Sequence, residues 1–201
     1  MTLSKQTQSR ITLLFLALVF IIPMFAAMYL YQHNQRIRQN TLNYGYLFEP
    51  PLNFAHLPLG VSWPQHKWWL VYANAKTCST ACQQDLYKMR QVWIALNKDQ
   101  GRVQRVCLNL YEKQATPILA RVKQVYPGML WLAISSQAWL NFWKTEQGLA
   151  LNLPDINLGS EKAAFFIIDP LGNLVLAYPA TATPRGLYKD LTRLLKVSGI
   201  G

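Results

Sequence analysis

The stretch "AKTCSTACQQD", residues 75–85, carries two cysteines, Cys78 and Cys82, with three small residues between them. The apolar, aromatic run "KWWLVYAN" (67–74) leads into it, and "QQDLYKMRQVWIALNK" (83–98) leads out. Lys67–Ala73 mixes aromatic and β-branched residues and ends at small polar ones, which predicts a buried strand. Residues 80–97 place Leu86, Met89, Trp93 and Leu96 at helical spacing, with Asp85 near the start and Lys98 at the end. The cysteines therefore fall between a strand's carboxyl end and a helix's amino end, where open α/β sheets collect reactive groups and ligands.

Outward from this point the chain stays regular. "RVQRVCLNL" (102–110) predicts a second strand, and "TPILARVKQVY" (116–126) a helix with Thr116 as N-cap and Pro117 at its first position. "GMLWLAIS" (128–135) predicts a third strand and "SQAWLNFWKTE" (136–146) a short helix. "AAFFIID", "PLGN" and "LVLAYP" (163–179) predict a hairpin with a Gly-Asn turn, and Pro184–Val197 a closing amphipathic helix. Strand, helix, strand, helix, strand, hairpin, helix is the element order of a thioredoxin-like domain. The predicted fold class is thus α/β, a central mixed sheet flanked by helices, over residues 60–201.

What precedes that domain differs in character. Ile11–Tyr31, "ITLLFLALVFIIPMFAAMYLY", carries no charge and is long enough to cross a ~30 Å hydrocarbon core. It exceeds the apolar core of a signal peptide, so the expectation is an uncleaved transmembrane helix over 11–31 that tolerates Pro23. Lys5, Arg10 and the terminal amine before it, against Arg36 and Arg38 after it, give a slight lean to a cytoplasmic N-terminus, residues 1–10. The remainder would face the periplasm, on a single-pass anchor in the cell inner membrane. Residues 32–59, rich in Pro, Asn and Leu, read as a spacer, with a short strand or hairpin near Leu59–Trp63.

The 201-residue chain is 51% hydrophobic and 14% charged, which excludes a disordered protein. Its net charge of +11 is widely spread, and with no binding motif in a tethered domain nucleic acid is not an expected partner. Arg185, Lys189, Arg193 and Lys196 fall on one face of the last helix, opposite Leu187, Leu191 and Leu194. That face reads as solvated, or as a contact for anionic lipid or an acidic partner.

At i and i+4 the cysteines share a face, within reach of a disulfide or of one soft metal ion. A helix amino end lowers a thiol pKa, and Lys76 adds positive charge. Three readings stay open: a redox-active pair, a Cu(I) clip and an inert structural disulfide. Cys107, among Val106 and Leu108, reads as a small buried hydrophobe. His33, His56 and His66 read as surface residues, with His66 at the far end of the strand from the cysteines. Asp169-Pro170 reads as turn chemistry.

Cys78 and Cys82 in this setting, together with "IIDPLGN", resemble the SCO/SenC family of membrane-anchored, thioredoxin-fold proteins that serve cytochrome c oxidase. Two departures are visible. Gln83 stands where that family has proline after its second cysteine, and "LGSEKAAFF" has Glu161 near the family's copper-ligating histidine. The chain also resembles a small family of single-span, thioredoxin-like proteins of proteobacteria, through "NYGYLFEPPL", "LYKMRQVWIALNKDQGRVQRV", "DPLGNLVLAYP" and "GLYKDLTRLLKVSGIG". The resemblance implies a role in oxidase assembly, with an oxidase subunit or a copper chaperone as partner and membrane lipid around the anchor. The expected mechanism is thiol–disulfide exchange at Cys78 and Cys82, an oxidoreductase activity; the alternatives are a carrier holding Cu(I) by the same two thiolates and a non-catalytic interaction scaffold with a structural disulfide.

Overall fold

The computed structural model describes residues 5–33, 43–60, 66–74, 78–110, 117–146 and 163–198. The expected roles of Lys76, Thr116 and Glu161 lie outside these residues. The chain divides into two units, Met1–Leu42 and Asn43–Gly201.

The first unit is a helix, α1 (Lys5–His33), which continues through Pro23. Its described side chains from 15 to 29 are exposed and nearly all apolar. Among the described residues no helix is long and apolar enough to cross a membrane.

The second unit is built on a six-stranded sheet of order β1-β6-β5-β2-β3-β4. The strands are β1 (Tyr46–Asn53), β2 (Trp68–Asn74), β3 (Val103–Asn109), β4 (Leu130–Ala133), β5 (Ala164–Ile168) and β6 (Asn173–Pro179). The helices are α2 (Thr80–Ala95), α3 (Pro117–Val125), α4 (Ser136–Glu146) and α5 (Pro184–Ser198). β2, β3 and β4 run parallel, and β5 is antiparallel to β2 and to β6. Every residue of β2 and β5 is buried, as strands covered on both faces must be. Alternation then divides the core. Trp69, Val71 and Ala73 face a layer completed by Phe54, Trp139, Phe142 and Trp143. Trp68, Leu70 and Tyr72 face the layer of α2, α3 and α5, which contains both Cys78 and Cys82.

β1 departs from the expectation of a spacer. It pairs antiparallel with β6, Tyr46 opposite Ala177 and Leu52 opposite Leu174, with a register shift between Leu47 and Leu52. Pro50 and Pro51 sit in that shift, and they suit an edge strand because they have no N–H to give a further neighbour. The sheet thus takes in residues 46–53, and the compact unit begins at Asn43 rather than near 60. At the hairpin, Asp169 Oδ1 accepts the N–H groups of Leu171 (2.9 Å) and Asn173 (2.8 Å), and Gly172 takes φ +88°. The turn is therefore shaped by Asp169 and Gly172.

Candidate functional site

The site lies at the carboxyl ends of β2 and β3. Leu110 N–H donates to Asn74 O (2.9 Å) and Ile134 N–H to Asn109 O (3.0 Å), which carries the hydrogen bonding of the parallel strands past their last residues. Asn74 and Asn109, register partners at this end, are buried polar residues that the sequence reading passed over.

Ser79 is the N-cap of α2, in extended conformation at φ −76° and ψ −178°, and Gln83 N–H donates to its carbonyl (3.0 Å). Cys82 is thus the third helical residue, whereas Cys78 stands one residue before the cap. The two do not both lie on the helix, as their i, i+4 spacing implied. They are nevertheless joined as a disulfide, with Cα atoms 5.1 Å apart, inside the range a disulfide spans. Cys78 is 9% exposed and Cys82 3%, while Ser79, Thr80, Ala81 and Gln83 form an exposed lip beside them. Cys78 is thus the more exposed residue of the pair.

One turn further along α2, Asp85 Oδ2 accepts from the Tyr72 hydroxyl (3.2 Å) and Oδ1 from Lys88 Nζ (3.1 Å). Lys88 also donates to Ala180 O, so α2 is tied to β2 and to the end of β6. Burial, reinforced by the Asp85 charge and hydrogen bond, raises the Tyr72 pKa and keeps the phenol neutral. Tyr126, at the end of α3, donates to Gln83 O (3.4 Å).

Cys107 is 1% exposed. Burial pushes its thiol from 9.0 up to about 12, opposed weakly by Lys123. It is the packing residue the sequence suggested. In the reduced protein, iodoacetamide at pH 8 is expected to modify Cys78 and to leave Cys107 intact until the chain unfolds, as read by mass spectrometry. Fast native labelling of Cys107 would contradict its burial. A thiol whose folded pKa is raised stabilises the fold below 9.0 and withdraws that contribution as pH climbs toward about 12.

Neither His56 nor His66 stands at this site. His66 is exposed, at φ +69°, just before the amino end of β2, and His56 contacts Asn53 (3.3 Å) in the turn after β1. His33 ends α1 in the other unit. No group of three or more His, Cys, Asp or Glu residues among those described is placed to hold a metal. For Cu(I) as cargo the described residues supply two soft thiolates, which fit its preference, and no third donor.

Residues 68–198 match the family described as "Transmembrane-like, thioredoxin-like, C-terminal domain". The chain belongs to that family. Its mixed sheet and flanking helices are the thioredoxin-like architecture expected from the order of elements. Comparison with curated protein sequences gives no match.

Among solved structures, apo Sco1 of Thermus thermophilus superposes with a TM-score of 0.53 at 21% identity, covering 77% of this chain and 98% of that one. Copper-bound ScoI of Arabidopsis thaliana gives a TM-score of 0.49 at 16% identity, covering 66% and 86%. Copper-bound yeast Sco1 gives 0.49 at 16%, covering 66% and 80%. The likeness to SCO/SenC proteins is therefore present in the fold of this thioredoxin-like domain.

Proposed function

We propose that this thioredoxin-like domain is a membrane-tethered assembly factor for cytochrome c oxidase that works by dithiol–disulfide exchange at Cys78 and Cys82. The observation carrying the exchange is the pairing of these two sulfurs at the β2–α2 junction, with Cys78 the more exposed. The oxidase role is supported by the resemblance to SCO/SenC proteins and by the shared fold. α1 serves as the inner-membrane anchor, its support being the uncharged sequence 11–31, and the domain faces the periplasm.

In the forward reaction the dithiol form meets a partner disulfide, in a subunit of the oxidase or in a copper chaperone. The Cys78 thiolate attacks one partner sulfur, the partner's S–S bond breaks, and the released thiolate takes a proton from solvent. Cys82, having given its proton to solvent, then attacks Cys78 Sγ and expels the second partner thiolate. The partner gains two electrons and two protons and is ready for copper. This domain ends oxidised, and an external dithiol must restore it.

The test is a thiol count on the full chain in detergent micelles across a glutathione redox series, with Cu(I) titrated against a competing chelator. The expected result is a mid-range potential, between about −180 and −270 mV, with no competitive copper binding. A potential below about −300 mV would make the disulfide structural and overturn the exchange reading. One tightly held Cu(I) per reduced chain would replace it with a copper carrier.

A further inference from the structure

The chain enters the compact unit along α5, and it is fixed there. The Asp190 carboxylate, 1% exposed, accepts from Tyr44 N–H (2.7 Å), Gly45 N–H (3.1 Å) and the Tyr178 hydroxyl (2.9 Å). Lys189 Nζ lies 5.3 Å from the centre of the Tyr44 ring and donates to its hydroxyl at 3.0 Å. Arg193 donates to Asn43 Oδ1 (3.3 Å). A Cβ on Gly45 would stand 2.4 Å from the Tyr178 ring, and one on Gly186 would stand 2.9 Å from Tyr44 Cβ. Two glycines therefore permit the approach, and "NYGY" (43–46) and "GLYKDLTR" (186–193), far apart in sequence, form one contact.

The same helix carries a basic stripe. Arg185, Lys189, Arg193 and Lys196 recur at helical spacing, with Arg185, Arg193 and Lys196 exposed. Asp190, the one acidic residue of α5, is turned into the core. Arg185 and Lys196 are thus presented with no exposed carboxylate on the same helix, while Lys189 is held against Tyr44 and Arg193 lies 3.9 Å from Asp190 Oδ1 with its outer side still exposed. Nine residues, 34–42, separate α1 from Asn43, a tether that reaches at most about 30 Å when fully extended.

We propose that this face of α5 docks on an anionic phospholipid surface, the cations meeting headgroup phosphates where the chain arrives from its anchor. The proposal rests on the reading of α1 as that anchor. Two features favour lipid over an acidic protein. Only nine residues separate α1 from Asn43 in sequence, which bounds how far the domain can stand from an anchored α1, and a row of point charges on one helix suits a laterally mobile anionic surface.

The test uses the full chain with vesicles of phosphatidylcholine alone or with phosphatidylglycerol added. Flotation with the neutral vesicles reports the anchor. A water-soluble acetylating reagent, read by mass spectrometry, reports the docking through Lys196, with Lys98 after α2 as internal reference. The expected result is flotation with both, and acetylation of Lys196 relative to Lys98 slowed about fivefold by the anionic lipid. High salt should restore the rate, because exposed charges are screened. Arg185→Gln/Arg193→Gln should lose the slowing while its secondary structure and disulfide stay intact.

Equal Lys196 rates on the two vesicle types would overturn the docking and leave an acidic protein as the candidate partner. Failure to float with neutral vesicles would overturn the anchor alone. Salt-sensitive protection of Lys196 by anionic vesicles would then still uphold the docking.

Discussion

Cys78→Ser is expected to reduce thiol–disulfide exchange with a model protein disulfide by more than about 100-fold, whereas Cys82→Ser should keep the first half of the reaction and accumulate the mixed disulfide. The difference follows from position. Cys78 precedes the N-cap and is the more exposed sulfur, while Cys82 is the third residue of α2 and is nearly sealed. An attacking thiolate must meet a foreign sulfur, and a resolving thiolate has only to meet its neighbour. The two variants share one effect, since each removes the same short cross-link, worth about 2 kcal/mol on a chain-entropy argument. Equal loss of stability with unequal trapping would identify exchange. Equal loss of stability with trapping in neither variant would identify a structural bridge. Non-reducing electrophoresis and thermal melts on the full chain separate the two.

The exchange assignment draws on a part of the molecule that was legible from residues alone. β2 and β5 are buried on both faces, so their sequences are near-continuous apolar runs, and α2 shows its core side through Leu86, Met89 and Leu96, although Val92 is buried and the expected Trp93 only half-buried. Such elements declare themselves because burial dictates residue type. β1 did not, because Pro50 and Pro51 argue against a strand unless the strand is known to lie at an edge, and that is a property of the sheet. The placement of Cys78 outside α2 was hidden for a related reason. Spacing reports a shared face but not where the first helical hydrogen bond closes. Asp85 was visible as an acid near a helix start, yet its tie to Tyr72 on β2 needs the fold to bring them together. Asp190 is the clearest case. Among Arg185, Lys189, Arg193 and Lys196 it reads as one more solvated charge, and its partners Tyr44 and Gly45 lie 146 and 145 residues away.

Asp190→Ala is accordingly expected to cost about 4 kcal/mol, more than loss of the disulfide. Two backbone N–H groups and the buried Tyr178 hydroxyl lose their shared acceptor. For a chain of this size that lowers the melting temperature by roughly 10 °C. Tyr178→Phe removes one donor and leaves the carboxylate its two amides, so about 1 kcal/mol is expected. The double variant should cost clearly less than the sum, because both changes strike one hydrogen bond. Gly45→Ala reaches the same contact without touching charge. Its Cβ would lie 2.4 Å from Cε1 of a fully buried ring, a conflict relieved by moving Tyr44–Tyr46 off α5 at about 1–3 kcal/mol. If the latch is what holds the chain's entry in place, Asp190→Ala and Gly45→Ala will both speed hydrogen exchange along β1 while β2 and β3 stay protected. Loss of protection across all strands together would show instead that Asp190 supports the whole core.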